Sequence, residues 1–322
     1  MKVLVTGGAG FIGSHVCERL VARGDEAVIL DSFDPFYDPR IKRRNVAGVL
    51  ASGKARLIEA DICDRAAVDA GLGEEAIDAI IHLAARAGVR PSLERPVDYV
   101  RTNVEGTLSL LELARARGIR PFVFGSSSSV YGDSTPAPFR ESEPANDPIS
   151  PYAATKRAGE LLCNTYVHLY GMSVACVRLF TVYGPRQRPD LAIHKFARLM
   201  ARSSEIPFYG DGTTERDYTY VDDIVDGIVA ALDWTHASAP GTFVTANLGE
   251  SRTTSLARLV EILASELGVT PIIQRLPAQP GDVQRTFADV SKARELFGYD
   301  PATTMEEGIR RFADWFRAQP SD

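Results

Sequence analysis

Lys2-Val3-Leu4-Val5-Thr6-Gly7-Gly8-Ala9-Gly10-Phe11-Ile12-Gly13 stands at the head of the sequence, followed by a helical apolar pattern over residues 14–23 that stops at Gly24. It reads as a short strand, a glycine turn and a helix. Glycines at 7, 10 and 13 let the turn be tight, let its backbone approach a pyrophosphate, and let the helix pack against the strand. The anion then sits at the helix N-terminus, where unpaired N–H groups and the helix dipole favour negative charge. The spacing is GxxGxxG. A glycine cluster alone carries little, but one that follows a strand and opens a helix predicts a Rossmann-type α/β fold, a doubly wound parallel sheet.

Working outward, residues 27–30 form a second apolar strand that ends on Asp31. A carboxylate there accepts hydrogen bonds from both hydroxyls of an adenosine ribose and repels a 2′-phosphate, so NAD is expected over NADP. A third strand over 55–62 carries Asp61. A fourth, over 79–83, opens into Ala84-Ala85 at its carboxyl end, and residues 97–117 read as one long amphipathic helix stopped by Gly118. The fifth strand, 122–124, delivers Gly125-Ser126-Ser127-Ser128-Ser129-Val130-Tyr131-Gly132, four hydroxyls where α/β sheets place their ligands. A sixth strand over 174–180 runs into Thr181-Val182-Tyr183-Gly184-Pro185-Arg186-Gln187-Arg188-Pro189. Beyond it the alternation becomes irregular, with helices expected at 191–201, 221–232, 255–267, 290–296 and 305–318. The expected division is a dinucleotide-binding domain over 1–180, with returns to its sheet at about 215–250, and a discontinuous substrate lobe over most of 181–322.

Between the fifth and sixth strands lies Ser150-Pro151-Tyr152-Ala153-Ala154-Thr155-Lys156-Arg157-Ala158-Gly159-Glu160. Pro151 suits the first turn of a helix. Tyr152 and Lys156 then stand at i and i+4 on one face. A cation close to a phenol favours the phenolate, which makes a base able to deprotonate a sugar hydroxyl.

Composition narrows the function classes. The chain has 322 residues, 45% hydrophobic and 24% charged, with net charge −6. It has no basic block, so a nucleic-acid partner is not expected. No run approaches the roughly 18 apolar residues of a membrane span. Cys17, Cys63, Cys163 and Cys176 form no CxxC pair, which fits a reducing cytoplasm. The five histidines are scattered, no metal site is expected, and His82 sits in an apolar run as a core residue.

Taken together, the Thr6–Gly13 turn, His82-Leu83-Ala84-Ala85, the Ser126–Gly132 run, Tyr152-Ala-Ala-Thr-Lys156, Arg216-Asp217-Tyr218 and Gly281-Asp282 resemble the extended short-chain dehydrogenase/reductase family, and within it the nucleotide-sugar 4-epimerases. Ala87-Gly88-Val89-Arg90 and the run from Val182 to Asp190 look most like UDP-glucuronate 4-epimerases. The resemblance implies Tyr152 as acid/base, Lys156 on the nicotinamide ribose, and Ser127 on the sugar oxygen. It implies cofactor contacts at Gly7, Gly10, Phe11, Ile12, Gly13, Asp31, Ser32, Asp61, Ile62, Leu83, Ala84, Ala85, Asn103 and Ser126, with a tightly held NAD recycled each turnover. It implies a substrate carboxylate clamped by Ser128, Ser129, Thr181 and Arg186, and a diphosphate and uridine ribose held by Arg216 and Asp282. Gln279 stands where related galactose epimerases often have arginine. Similar decarboxylases place a glutamate at position 129, and 4,6-dehydratases an Asp-Glu pair at 128–129. The serines here favour epimerisation with the carboxylate retained. The family also implies a homodimer. A 4-epimerase of neutral UDP-hexoses, a UDP-glucuronate decarboxylase and a non-catalytic NAD-binding scaffold stay open at this point.

Overall fold

The structure is a computed structural model and describes residues 1–277 and 284–319. The first half alternates strand and helix: β1 Lys2–Thr6, α1 Phe11–Ala22, β2 Glu26–Asp31, α2 Pro39–Ala51, β3 Ala55–Glu59, α3 Arg65–Leu72 and β4 Ala79–His82. Then come α4 Val89–Glu94, α5 Pro96–Val100, a π-helical turn Arg101–Glu105, α6 Gly106–Ala116, β5 Pro121–Ser127, α7 Pro151–Tyr170 and β6 Ser173–Leu179. These strands and a later one, β11 (Phe243–Leu248), pair only in parallel, in the order β11-β6-β5-β4-β1-β2-β3. The order reverses between β1 and β4, and a ligand crevice belongs at that point.

The strands are apolar on both sides because helices cover both faces of the sheet. Val3, Val5, Ile29 and Ile81 enter one core. Their neighbours Leu4, Val28, Leu30 and Ile80 enter the other. Each such side chain contributes roughly 1.5–3 kcal/mol by leaving water, before the entropy of ordering is set against it. On α7, Ser150 caps the helix by accepting from Ala153 N at 3.1 Å, and Gly171 ends it at φ +66°.

The remainder is β7 Thr181–Tyr183, α8 Ala192–Ala201, β8 Glu205–Tyr209, β9 Glu215–Arg216, β10 Tyr218–Tyr220, α9 Val221–Ala237, β11 Phe243–Leu248, β12 Thr254–Ser255, α10 Leu256–Leu267, β13 Ile272–Leu276, α11 Ser291–Phe297 and α12 Met305–Arg317. Strand β11 returns to the central sheet beside β6. The small strands pair two by two, β7 with β10, β9 with β12 and β8 with β13. Among the described residues no helix is long and apolar enough to cross a membrane.

The helix expected over 97–117 is interrupted. Its π turn bulges where Asn103 bonds to the chain after β4, and Gly106 lets it come close, since a Cβ there would lie 2.4 Å from Ile62 Cδ1. Helices α2 and α3 are two elements that the sequence analysis does not predict.

Just beyond β11, the buried carboxylate of Glu250 has no hydrogen-bond partner among the described residues, although Arg252 approaches to 4.0 Å. Burial first, then the charges of Asp223, Asp217 and Asp300 against that of Arg252, push its carboxyl up to about 7. The folded protein therefore binds this proton more tightly than the unfolded chain, and stability falls as pH rises from the ordinary carboxylate range to about 7. Glu250→Gln is expected to stabilise the protein by about 1–2 kcal/mol at pH 8 and to change little at pH 4. Urea denaturation at the two pH values measures this; an equal effect at both would show that the charge of Glu250 is not the cause.

Candidate active site

A cleft of about 510 Å³ opens at the carboxyl ends of the strands beside the β1/β4 reversal. The glycine turn forms one wall. Gly7, at φ +67°, lies so close to the chain leaving β4 that a Cβ there would meet Ala84 N at 2.7 Å. A Cβ at Gly13 would stand 2.2 Å from Gly7 O. Helix α1 begins after Gly10 with no side-chain cap and no acid in its first turn, leaving its amides to an outside acceptor. Asp31 is fixed by Phe33 N at 2.8 Å and Ala9 N at 3.1 Å, and Lys42 Nζ lies 3.6 Å from it. An uncapped helix start, a glycine turn with no room for side chains and a strand-end carboxylate suit the diphosphate and ribose of a dinucleotide.

The floor is built by β4. His82 is buried between Thr6 Oγ1 at 2.7 Å and Thr107 Oγ1 at 2.9 Å. Burial and the charge of Lys156 hold it down at about 3, so it stays neutral and serves as the core residue the sequence indicated.

The opposite wall carries the reactive groups. Ser126 donates to Glu160 Oε1 at 2.7 Å, and Arg178 meets the same buried carboxylate at 2.8 and 2.9 Å, which ties β5, α7 and β6 together. Ser127 follows and turns the other way, with its hydroxyl 2.5 Å from that of Ser129 and beside the phenol of Tyr152, whose ionised form it favours. Lys156 Nζ donates to Gly125 O at 2.6 Å, and burial lowers its pKa to about 8. Burial raises the pKa of Tyr152, opposed by the Ser127 hydrogen bond and by the charge of Arg188. The sequence pointed to Lys156 as the cation acting on the phenol; the structure adds Arg188.

Most of the expected residues gather here. Gly7, Gly10, Phe11, Ile12, Gly13, Asp31, Ser32, Asp61, Ile62, Leu83, Ala84, Ala85, Ser126, Ser127, Ser128, Ser129, Tyr152, Lys156 and Thr181 all line the cleft. Asn103 is not among them, because its side chain is consumed by the protein: it accepts from Arg86 N at 2.8 Å and donates to Arg86 O and Thr155 Oγ1, each at 3.0 Å. It positions the β4 exit against α7. Arg186 also lies off the cleft, donating to Ser14 Oγ at 3.3 Å and pairing with Glu18 at 2.6 Å. Arg188 takes the place expected of it. That guanidinium lines the cleft, paired with Asp190 at 2.7 Å, stacked 5.1 Å from the Phe36 ring and within 3.4 Å of Ala87 O. Arg216 is on β9, paired with β12, outside the lining. Asp282, with Gln279, lies outside the described residues.

The sequence reading missed Phe36, Tyr37, Lys42, Arg86, Arg101 and Thr102, which also line the cleft. Ala87-Gly88-Val89, part of the run that resembles UDP-glucuronate 4-epimerases, line it as well.

Residues 3–249 match the NAD dependent epimerase/dehydratase family. A UDP-glucuronate 4-epimerase of Thermodesulfobacterium geofontis is 41% identical over 313 residues, covering 97% of this chain and 95% of its own. The crystal structure of the UDP-glucuronic acid 4-epimerase of Bacillus cereus in complex with UDP-glucuronic acid and NAD superposes with a TM-score of 0.89 at 35% identity, covering 98% of this chain and 99% of that one. The UDP-glucose 4-epimerase of Thermotoga maritima, solved with UDP-glucose, gives 0.88 at 31% identity, with 98% and 99% covered. On the extent of these matches, and with the glycine turn, Ser127, Tyr152 and Lys156 assembled in one cleft, the chain belongs to the NAD dependent epimerase/dehydratase family.

Proposed function

We propose that this protein interconverts UDP-glucuronate and UDP-galacturonate by epimerisation at sugar C4. The observation that carries the reading is the convergence on one cleft of Tyr152, Ser127, the serine turn after it and the Arg188 guanidinium. NAD, when bound, supplies a hydride acceptor at C4 that becomes the donor for the return, so it ends each cycle as it began.

The chain's own residues do the rest. The turn Gly7–Gly13 and the first amides of α1, including those of Phe11 and Ile12, hold the diphosphate. Asp31 and Ser32 take the adenosine ribose, Asp61 and Ile62 flank the adenine, and Leu83-Ala84-Ala85 with Lys156 carry the nicotinamide end. Tyr152 removes the proton from the 4-hydroxyl and later returns one to the 4-ketone, with Ser127 hydrogen-bonded to the same oxygen. The 4-keto sugar turns about its diphosphate link and is reduced on its other face. With a carboxylate at C6 this species is a β-keto acid. It loses CO₂ when the breaking bond aligns with the ketone π-system. Ser128, Ser129 and Thr181, with Arg188 as counter-charge, hold the carboxylate out of that alignment. Arg216 and Asp282 serve the diphosphate and uridine ribose, and the residues beyond 181 other than β11 make most of the substrate lobe.

Leu93, Val97, Leu161 and Leu169 are 53–77% exposed on α4, α5 and α7. They favour a homodimer formed through these helices, and the unpaired cysteines suit a reducing cytoplasm. Purified protein, sized by light scattering at micromolar concentration, is incubated with UDP-glucuronate and no added NAD while sugar anomeric protons are followed by NMR. A dimer producing UDP-galacturonate without pentose is expected. A UDP-pentose would assign a decarboxylase, and conversion of UDP-galactose alone a neutral-sugar epimerase.

A further inference from the structure

Gly184-Pro185-Arg186-Gln187 is a tight turn, closed by Gln187 N donating to Gly184 O at 3.1 Å. Proline at its second position and φ +64° at its third make it type II. That third position favours glycine, because an L side chain is strained there. This chain has arginine instead, and its side chain leaves the turn for α1. Arg186 Nη2 lies 2.6 Å from Glu18 Oε1, and Nη1 donates to Ser14 Oγ at 3.3 Å. His15, between them on α1, bonds to Pro185 O at 3.0 Å. On the far side the buried Gln187 donates to Val182 O at 3.1 Å and accepts from His194 N at 3.2 Å. The next residue is Arg188, whose guanidinium lines the cleft.

We propose that Arg186 is a positioning residue: with Glu18 it fastens this strained turn to α1 so that Arg188 is aimed at the sugar carboxylate. The strain marks the function. A glycine would make the same turn more easily but would lose the ion pair to α1, leaving the backbone that carries Arg188 held only by His15 and the bonds of Gln187. The anchor is placed on the first turns of the helix whose N-terminus faces the cleft. Cofactor and substrate carboxylate are thereby registered against one rigid element.

The inference rests on the UDP-glucuronate reading. Its test uses the NAD-loaded protein and two variants: Glu18→Ala, which removes the anchor from a partly exposed position of α1 with the best helix former, and Arg186→Gly, which suits the positive φ. Each is expected to raise KM for UDP-glucuronate about tenfold, as for loss of a charge-assisted contact. The Kd of UDP, which lacks the sugar, and the amount of bound NAD should stay within about twofold of wild type. In an Arg188→Ala background, Glu18→Ala should add nothing, because the group it aims is gone. Wild-type KM in both variants, an equal loss for UDP, or additive losses with Arg188→Ala would each overturn the assignment. A wild-type protein that does not turn over UDP-glucuronate would remove the function reading and this inference together, whereas unchanged variants of an active protein remove only this one.

Discussion

Tyr152→Phe is expected to lower kcat for UDP-glucuronate by about 10²–10⁴-fold while KM and bound NAD stay close to wild type. The phenol is the group in the cleft placed to take a proton from a sugar hydroxyl, and phenylalanine keeps the ring that packs edge-on against Tyr99 at 6.2 Å. The loss therefore falls on proton transfer and not on shape. Burial raises the pKa of Tyr152, while Lys156, brought down to about 8, is still cationic at neutral pH. The resting state is thus a neutral phenol beside the Ser127 hydroxyl. It gains its basic character from the positive charges assembled around it, and the Ser127 hydrogen bond lowers the cost of the phenolate. As pH rises through about 8 the charge on Lys156 is lost, and with it part of that support. Single-turnover kinetics of the loaded enzyme reads the chemical step directly. A Tyr152→Phe variant within threefold of wild type would assign the proton to another group.

The central sheet was legible because strands buried on both faces must be apolar at every position, as Val3-Leu4-Val5 and Ile80-Ile81 are. Glycine's role at 7 and 13 was legible for a steric reason, since no side chain fits against Ala84 or Gly7 O. Tyr152 and Lys156 could be paired because helical spacing is rigid. Side chains carried by irregular backbone were not readable in this way. Phe36, Tyr37 and Lys42 reach the cleft from the segment after β2 and from α2, whose Pro39–Ala51 sequence is too charged to show a core-facing stripe. Asn103 reads from the sequence as a cofactor contact, but a π turn rotates it onto Arg86 and Thr155, off the cleft lining. Arg186 and Arg188 were confused for a related reason. Arg188 lines the cleft, while Arg186, at φ +64°, turns to α1. An arginine in the glycine position of a type II turn is the less expected answer.

That correction sets the second large expected effect. Arg188→Ala should raise KM for UDP-glucuronate roughly 30- to 1000-fold, the usual range when one partner of a buried ionic contact is removed. The guanidinium is only 16% exposed and is fixed by Asp190 and the Phe36 ring, so little water remains to replace it. Lysine should not restore the affinity, because an ammonium cannot offer two parallel N–H donors to a carboxylate. Two further consequences distinguish this residue from a general structural one. Arg188 is a cation acting on Tyr152, so its removal raises the phenol pKa further and moves the acid limb of the kcat–pH profile to higher pH. A carboxylate left without its counter-charge also rotates more freely into line with the 4-ketone, so a UDP-pentose and CO₂ should appear among the products where wild type gives none. NMR of the product mixture with parallel CO₂ detection checks the last point. An Arg188→Ala enzyme with normal KM, an unmoved pH profile and UDP-galacturonate as its product would place the carboxylate on the serine turn alone.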